Sequence, residues 1–266
     1  MKESREGKKG AFVTITACVV LFFLVVPQII LLIQSFTAED YLMFPPQAFG
    51  IRWYAFIFTD PEWREALGTS LIVASISTPV ALLLGTMAAL ALDRGPPAGR
   101  KFLRGALLSP MLLPHVVLGM ALYRVLLPIR LDDTIPGFVG AHLLLCVPYV
   151  VVTVGASLES FDRRLEEAAQ SLGASPFSAF VHIVLPIIRP GIFAGAIFSF
   201  ITSFDEFIVT YFLATRNFTI PIKIFSSLSY QLEPSIAAVS GLTLVLTAVL
   251  SGLLITRGGY GRTGQA

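Results

Sequence analysis

Two carboxylates stand side by side in an apolar stretch. Asp205 and Glu206 lie within Phe-Ser-Phe-Ile-Thr-Ser-Phe-Asp-Glu-Phe-Ile-Val-Thr-Tyr, with no basic residue nearby in that stretch. On insertion scales an unpaired carboxylate at the centre of a bilayer costs about 3 kcal/mol, so such a group must face a cavity or a partner. A cationic or amine solute gains from a site of this kind. Adjacent residues point about 100° apart on a helix, so one of the two is expected to face a pore. Thr202, Ser203, Thr210 and Tyr211 add hydroxyls to a polar path. The competing reading is structural: one carboxylate caps a broken helix or pairs with Arg or Lys of another subunit.

A second constellation is polar and rich in caps. Residues 159–186 read Glu-Ser-Phe-Asp-Arg-Arg-Leu-Glu-Glu-Ala-Ala-Gln-Ser-Leu-Gly-Ala-Ser-Pro, then Phe-Ser-Ala-Phe-Val-His-Ile-Val-Leu-Pro. A first helix is expected over roughly 160–172, with Leu165, Ala168, Ala169 and Leu172 on one face. Asp162, Arg163, Glu166 and Gln170 fall largely on the other. Gly173 stops it, and Ser175 caps a second helix that has Pro176 at its first position. The small residues Ala168, Ala169 and Gly173 allow close approach of another protein's backbone. An interfacial amphipathic helix would show a similar face. It would need neither the glycine at that offset nor the Ile183-x-Leu185-Pro186 ending.

The elements that position these residues are membrane helices. Charged residues are only 14% of the chain and the mean hydropathy is +0.78, which excludes an ordinary soluble domain. Apolar blocks fall near 11–35, 67–92, 105–127, 138–158, 188–213 and 235–256. Each is long enough to cross about 30 Å of hydrocarbon at 1.5 Å per residue. The reading is a single membrane domain over residues 1–266 with no soluble module. A barrel would instead show alternating segments of about ten residues. The first block follows a basic stretch with Lys2, Arg5, Lys8 and Lys9, but it is too long for a signal-peptide core and no small-x-small site follows. It is expected to be a retained helix.

Six spans with the N-terminus inside put thirteen of the nineteen lysines and arginines on the inner side, among them Arg94, Arg100, Lys101, Arg104, Arg163, Arg164 and Arg189. Both termini are then cytoplasmic. Cys18 and Cys146 both sit within spans, which argues against a disulfide. The longest outer segment, about 36–66, carries Tyr41, Trp53, Tyr54 and Trp63, expected as interfacial anchors or, alternatively, as part of a contact with an external partner. Span two opens with Gly68-Thr69-Ser70-Leu71 and closes firmly at Asp93-Arg94-Gly95-Pro96-Pro97. Span three is irregular, with Pro110, Pro114 and Gly119 inside it. Non-ideal backbone at membrane depth survives only where protein or a water-filled cavity satisfies it. Span three therefore either lines the pathway or gate, or uses the kink for packing.

Glu167-Ala168-Ala169, then Gly173, then Ile183-x-Leu185-Pro186 is the pattern of the "EAA" loop, and the chain resembles the permeases of bacterial ABC importers that carry it. The resemblance implies an all-α membrane protein with six transmembrane helices in the type I ABC importer permease (MetI-like) fold. It implies that Glu167, Ala168, Ala169, Leu172, Gly173 and Ala174 dock into an ATPase subunit. The expected assembly is this chain, a second and distinct permease, an ATPase dimer holding ATP and Mg, and an external solute-binding protein, all at the bacterial inner membrane. In this family the first helix wraps the partner permease. A narrower resemblance is to the spermidine/putrescine branch. It rests on Ser-Phe-Asp-Glu-Phe-Ile-Val-Thr-Tyr-Phe-Leu, on Ile220-Pro221-Ile222-Lys223-Ile224-Phe225 and on Glu233-Pro234-Ser235-Ile236-Ala237-Ala238. That branch also includes permeases for amino acids, opines and phosphonates.

Several classes are disfavoured. No Gly-x-x-x-x-Gly-Lys-Ser/Thr segment occurs, so no P-loop holds ATP here, and Gly258-Gly259-Tyr260-Gly261-Arg262 is only a glycine-rich tail. His115, His142 and His182 are scattered without metal-ligand spacing, and the default for His182 is capping or packing. No catalytic set stands out, and the basic residues flank spans rather than forming a nucleic-acid patch. An ion-driven secondary transporter would also place carboxylates in a span, but would not need the docking pattern. The expectation is a non-catalytic subunit that binds no cofactor of its own.

Overall fold

The computed structural model describes the backbone of residues 3–96, 98–230 and 233–257. Lys2, Pro97 and the glycine-rich tail lie outside the described residues. In chain order the helices are α1 (Glu3–Ser35), α2 (Arg52–Thr59), α3 (Pro61–Arg94), α4 (Arg100–Leu112), α5 (His115–Leu126) and α6 (Ile135–Glu159). Then come α7 (Arg164–Ser171), α8 (Pro176–Ala179), α9 (Leu185–Phe204), α10 (Ile208–Leu213), α11 (Ile220–Tyr230) and α12 (Pro234–Arg257). A π-helical turn, Phe180–Val184, joins α8 to α9. Among the described residues the extended structure is limited to an isolated antiparallel pairing of Thr37 with Phe49.

Among the described residues, five helical stretches are long and apolar enough to cross a bilayer: Val13–Ser35, Pro61–Arg94, Ile135–Glu159, Pro176–Phe204 and Pro234–Leu254. The segments Arg100–Met111 and His115–Ile129 meet at 97°, and counted as one broken span they complete the expected six. Span three is thus no simple kinked rod over 105–127. Pro114 takes an extended backbone before α5, and its ring denies the ladder a donor where the chain turns. Span five also departs from a continuous helix over 188–213. It begins earlier, stops at Phe204, and resumes as the short α10. The adjacent carboxylates fall in that interruption.

The chain forms two compact units. One holds residues up to Pro61 together with Ile224–Val245. Within it the segment after α1 is pinned by backbone bonds from Ala38 N to Ala48 O (2.9 Å) and from Gly50 N to Phe36 O (2.7 Å). Trp53 Nε1 donates to Glu39 O at 2.8 Å, and Tyr54 OH donates to Ser35 Oγ at 2.7 Å. Tyr54 thus ties α2 to the last residue of α1, and Trp53 ties it to the segment that follows.

The other unit holds Glu62–Lys223 and the residues from Leu246 on. Trp63 belongs here and is only 2% exposed, with Lys223 Nζ 5.5 Å from its ring centroid. It is a packed residue, not an interfacial anchor. Ser70 Oγ accepts from Ile220 N at 2.8 Å, which explains a hydroxyl in span two. The core joins α3, α6 and α9 through Ala81, Cys146, Val150, Val154 and Ile188. Inside a bilayer such contacts are stabilised by close packing and interhelical hydrogen bonds more than by the hydrophobic effect. Cys146 Sγ donates to Ser199 O, and Ser199 Oγ returns a bond to Cys146 O, each 3.3 Å. A second cluster sets Leu118 of α5 and Val209 and Leu213 of α10 against Phe138 and Leu145 of α6.

Candidate translocation path and docking loop

The break in span five opens at Asp205 and is held by the carboxylate of Glu206. Asp205 closes α9, its N–H donating to Ile201 O at 3.0 Å. Glu206 Oε1 accepts from Val209 N at 2.8 Å, which satisfies a donor that α10 would otherwise leave open. The two side chains part ways: Glu206 is 6% exposed, whereas Asp205 is exposed. The path reading and the capping reading therefore fall on different residues of the pair. Among the described residues no donor reaches the Asp205 carboxylate.

Glu206 also meets the break in span three. Its Oε2 lies 3.5 Å from Nδ1 of His115, the first residue of α5. Gly119 lets α5 and α10 approach: a Cβ there would lie 2.6 Å from Phe212 Cδ2 and 3.3 Å from Val209 Cα. So Pro114 makes the turn and Gly119 seats the resulting half-helix, while Pro110 lies inside α4, four residues before the turn.

Two further residues hold this region and carry no local pattern that would reveal them. His142 of α6 is 1% exposed; its Nδ1 is 2.8 Å from Ser203 Oγ and its Nε2 2.9 Å from Thr210 Oγ1. One ring thus bridges both sides of the break. Ser203 and Thr210 are buried against it, which takes them off an open path. Thr202 is half-buried, and Tyr211 is exposed, its ring 5.6 Å from that of Phe207.

Asp133, in the turn before α6, gathers the segment after α10. Its carboxylate accepts from the backbone N–H of Thr215 (3.0 Å), Arg216 (3.0 Å) and Asn217 (3.0 Å) and from Thr215 Oγ1 (2.8 Å). Its own N–H donates to Leu213 O at 3.0 Å. Burial pushes this carboxyl up, but the donors outweigh burial and hold it below the usual carboxylate value.

The loop after α6 follows the expected caps closely, its first helix running 164–171 rather than 160–172. Gly173 has φ +95°, the left-handed region where glycine is favoured. Ser175 Oγ accepts from Ser178 N at 3.2 Å, with Pro176 opening α8. His182 Nδ1 lies 2.9 Å from Ser178 O, the local packing role expected of it. Most of α7 is exposed, polar and apolar residues alike, and Glu166 is its buried residue. Glu166 is 9% exposed, whereas Leu172 is 90% and Phe177 just beyond is 76%. Glu167, Ala168 and Gly173 are exposed, and Ala169 and Ala174 half-buried. Glu166 Oε2 meets Arg94 Nη2 at 2.9 Å, and Arg163 Nη2 meets Asp93 Oδ1 at 2.7 Å.

Span five is thus broken at Asp205 and Glu206, and the loop leaves Leu172 and Phe177 exposed. Residues 81–257 match the model of the "binding-protein-dependent transport system inner membrane component" family. The chain belongs to this family. It is a permease, a multi-pass membrane subunit without a catalytic role of its own. It is 32% identical over 243 residues to the spermidine/putrescine transport system permease protein PotC of Escherichia coli (strain K12), covering 91% of this chain and 90% of that one. It is 34% identical over 237 residues to the putrescine transport system permease protein PotI of the same organism, covering 85% and 83%.

Among solved structures, the permease is similar to a chain of a bacterial alginate ABC transporter in complex with an alginate pentasaccharide-bound periplasmic protein. The TM-score is 0.67 at 18% identity, covering 96% of this permease and 93% of that chain. At that identity the likeness speaks to the fold, and it matches the MetI-like architecture expected from the loop pattern.

Proposed function

We propose that this permease forms half of the translocation path of an ATP-driven importer of polyamines, and that Asp205 is the residue that meets the cationic solute. The observation that carries this is the exposed Asp205 carboxylate at a helix break inside an otherwise apolar span. A protonated amine offers the charge such a group requires. Phe207 and Tyr211 lie beside the break, and aromatic faces attract ammonium groups. The names of the two relatives, spermidine/putrescine and putrescine permeases, support the same solute class.

The working assembly in this reading has four parts at the bacterial inner membrane: this permease, a distinct second permease and two ATPase subunits. A solute-binding protein delivers the cargo from outside, and both termini of the permease are cytoplasmic, as the distribution of Lys and Arg favours. Glu167, Ala168, Ala169, Leu172, Gly173 and Ala174 form the docking surface for the ATPase. An apolar helix face turned outward needs a covering partner, and small residues let the partner's backbone close in. The most apolar window of Val13–Ser35 is not buried against its own chain, which leaves α1 free to pack on the second permease. ATP and Mg act on the ATPase subunits. This permease contributes the path and the moving loop: closure of the ATPases draws the docking helices together and rearranges the spans around Pro114 and the break at Asp205.

The test is ATP-dependent uptake by the purified complex in proteoliposomes with its binding protein. The solutes are putrescine, spermidine, an uncharged amino acid, an opine and an aminophosphonate. Uptake of the polyamines alone is expected. Uptake of an anionic or zwitterionic solute in their place would overturn the polyamine reading and leave Asp205 a structural or gating role.

A further inference from the structure

We propose that Asp93 and Arg94, the last two residues of α3, are positioning residues that clamp the docking helix α7 to span two, so that the two move as one body. This rests on the reading of α7 as the ATPase-docking helix. At eight residues, α7 is too short to hold its own shape or direction without outside ties. Its covalent link onward runs to α9 through Gly173 and α8. Its link to α3 is made by hydrogen bonds and ion pairs.

That link has two points. Glu166 Oε2 accepts from Arg94 Nη2 at 2.9 Å. Arg163 Nη2 lies 2.7 Å from Asp93 Oδ1 and 2.8 Å from Asp93 O. The two anchors on the loop are three positions apart, about one turn, so both lie on the same side of the helix. A single ion pair would let α7 swivel. Two pairs one turn apart, with charges in opposite order, fix its rotation as well as its place. Glu166 is 9% exposed, so this face of α7 is spent on span two. Leu172, 90% exposed, is left for the partner. Span two then carries the displacement into the core it shares with α6 and α9 through Ala81, Cys146 and Val150.

The test is charge reversal in the assembled transporter. Glu166→Arg and Arg94→Glu are each expected to lower solute taken up per ATP hydrolysed by roughly fivefold, the low end of typical coupling effects because Arg94 is partly in water. The exchanged pair, Arg94→Glu with Glu166→Arg, is expected to recover most of that ratio. Recovery stays incomplete because each swapped charge opposes its helix dipole. If Glu166→Arg does not assemble, Glu166→Ala, which removes both the charge and the acceptor, gives a loss in the same direction. Single variants with the wild-type ratio would overturn the clamp. So would a pair of singles that lose coupling and a double that does not regain it. Absence of ATP-driven uptake by the wild type would overturn the function proposed above, and is distinguishable from both results.

Discussion

Glu206 of span five and His115 of span three join the two helix breaks of this permease, with 3.5 Å between Oε2 and Nδ1. Each broken span on its own would expose unpaired backbone at membrane depth. Joined here, Glu206 caps α10 with one oxygen and reaches the start of α5 with the other. Asp205, one residue earlier, is left exposed. The adjacent pair thus divides its labour: one carboxylate holds the break and the other is open.

Glu206→Ala removes the cap and leaves the Val209 N–H unsatisfied. A lost helix cap typically costs about 1 kcal/mol, up to 2. Thermal unfolding of the permease in detergent should show a lower midpoint for Glu206→Ala and none of that loss for Asp205→Asn. Equal losses in both variants would remove the distinction between them.

His142→Ala leaves two buried hydroxyls, Ser203 and Thr210, without their partner. An unsatisfied buried polar group costs about 1–3 kcal/mol. Because the ring spans the break, the loss should be local. Hydrogen exchange of the amides from Asp205 to Thr210 should quicken while α3 stays protected. Unchanged exchange across the break would contradict the bridging role.

The parts of this fold legible in the sequence are those with a short-range cause. Span lengths follow from apolar runs, the turn at Pro114 from a missing donor, and the α7–Gly173–Ser175–Pro176 sequence from cap chemistry. The interruption of span five was legible as an alternative, because adjacent carboxylates in an apolar run require a cavity or a cap. What could not be read is which carboxylate does which, since that depends on His115, 91 positions before Glu206. Asp133 and His142 are silent for the same reason: their partners lie in a different helix or loop. Trp63 misled because an aromatic near a span end has the same local signature whether it faces lipid headgroups or a packed core. Glu166 sits as expected on the polar face of α7, but it alone of that face is buried, because Arg94 meets it there.

Gly173→Val forces a β-branched residue to φ +95°. Among the described residues, nothing beyond Gly173 and its two chain neighbours lies within 4 Å of a Cβ at this site, so the strain comes from the backbone and any clash from a docked partner. Left-handed backbone at a non-glycine residue costs about 1–3 kcal/mol, enough to redirect α8 relative to α7. Transport should be uncoupled, with the loaded binding protein no longer stimulating ATP hydrolysis. Normal uptake with stimulated hydrolysis would count against the docking role of this turn.

The Asp133 clamp carries a pH dependence of fixed sign. Its folded value is depressed, so its stabilisation is fully present above the ordinary carboxylate value near 3.9, and is lost as pH falls through the lower folded value. Between pH 5 and 8 the 215–217 segment should keep constant protection from proteolysis, and lose it only under stronger acid. Asp133→Asn should lack that protection already at neutral pH. A wild-type loss of protection centred between pH 6 and 7 would contradict the assignment.

The most direct test of the account is the concentration dependence of putrescine uptake by wild type, Asp205→Asn and Glu206→Gln in reconstituted complexes with the same binding protein. Asp205→Asn should lose most putrescine transport while keeping the wild-type unfolding midpoint. Glu206→Gln, whose amide oxygen can still accept from Val209, should retain transport. The reverse pattern, with Asp205→Asn transporting normally, would contradict the assignment of the solute to Asp205.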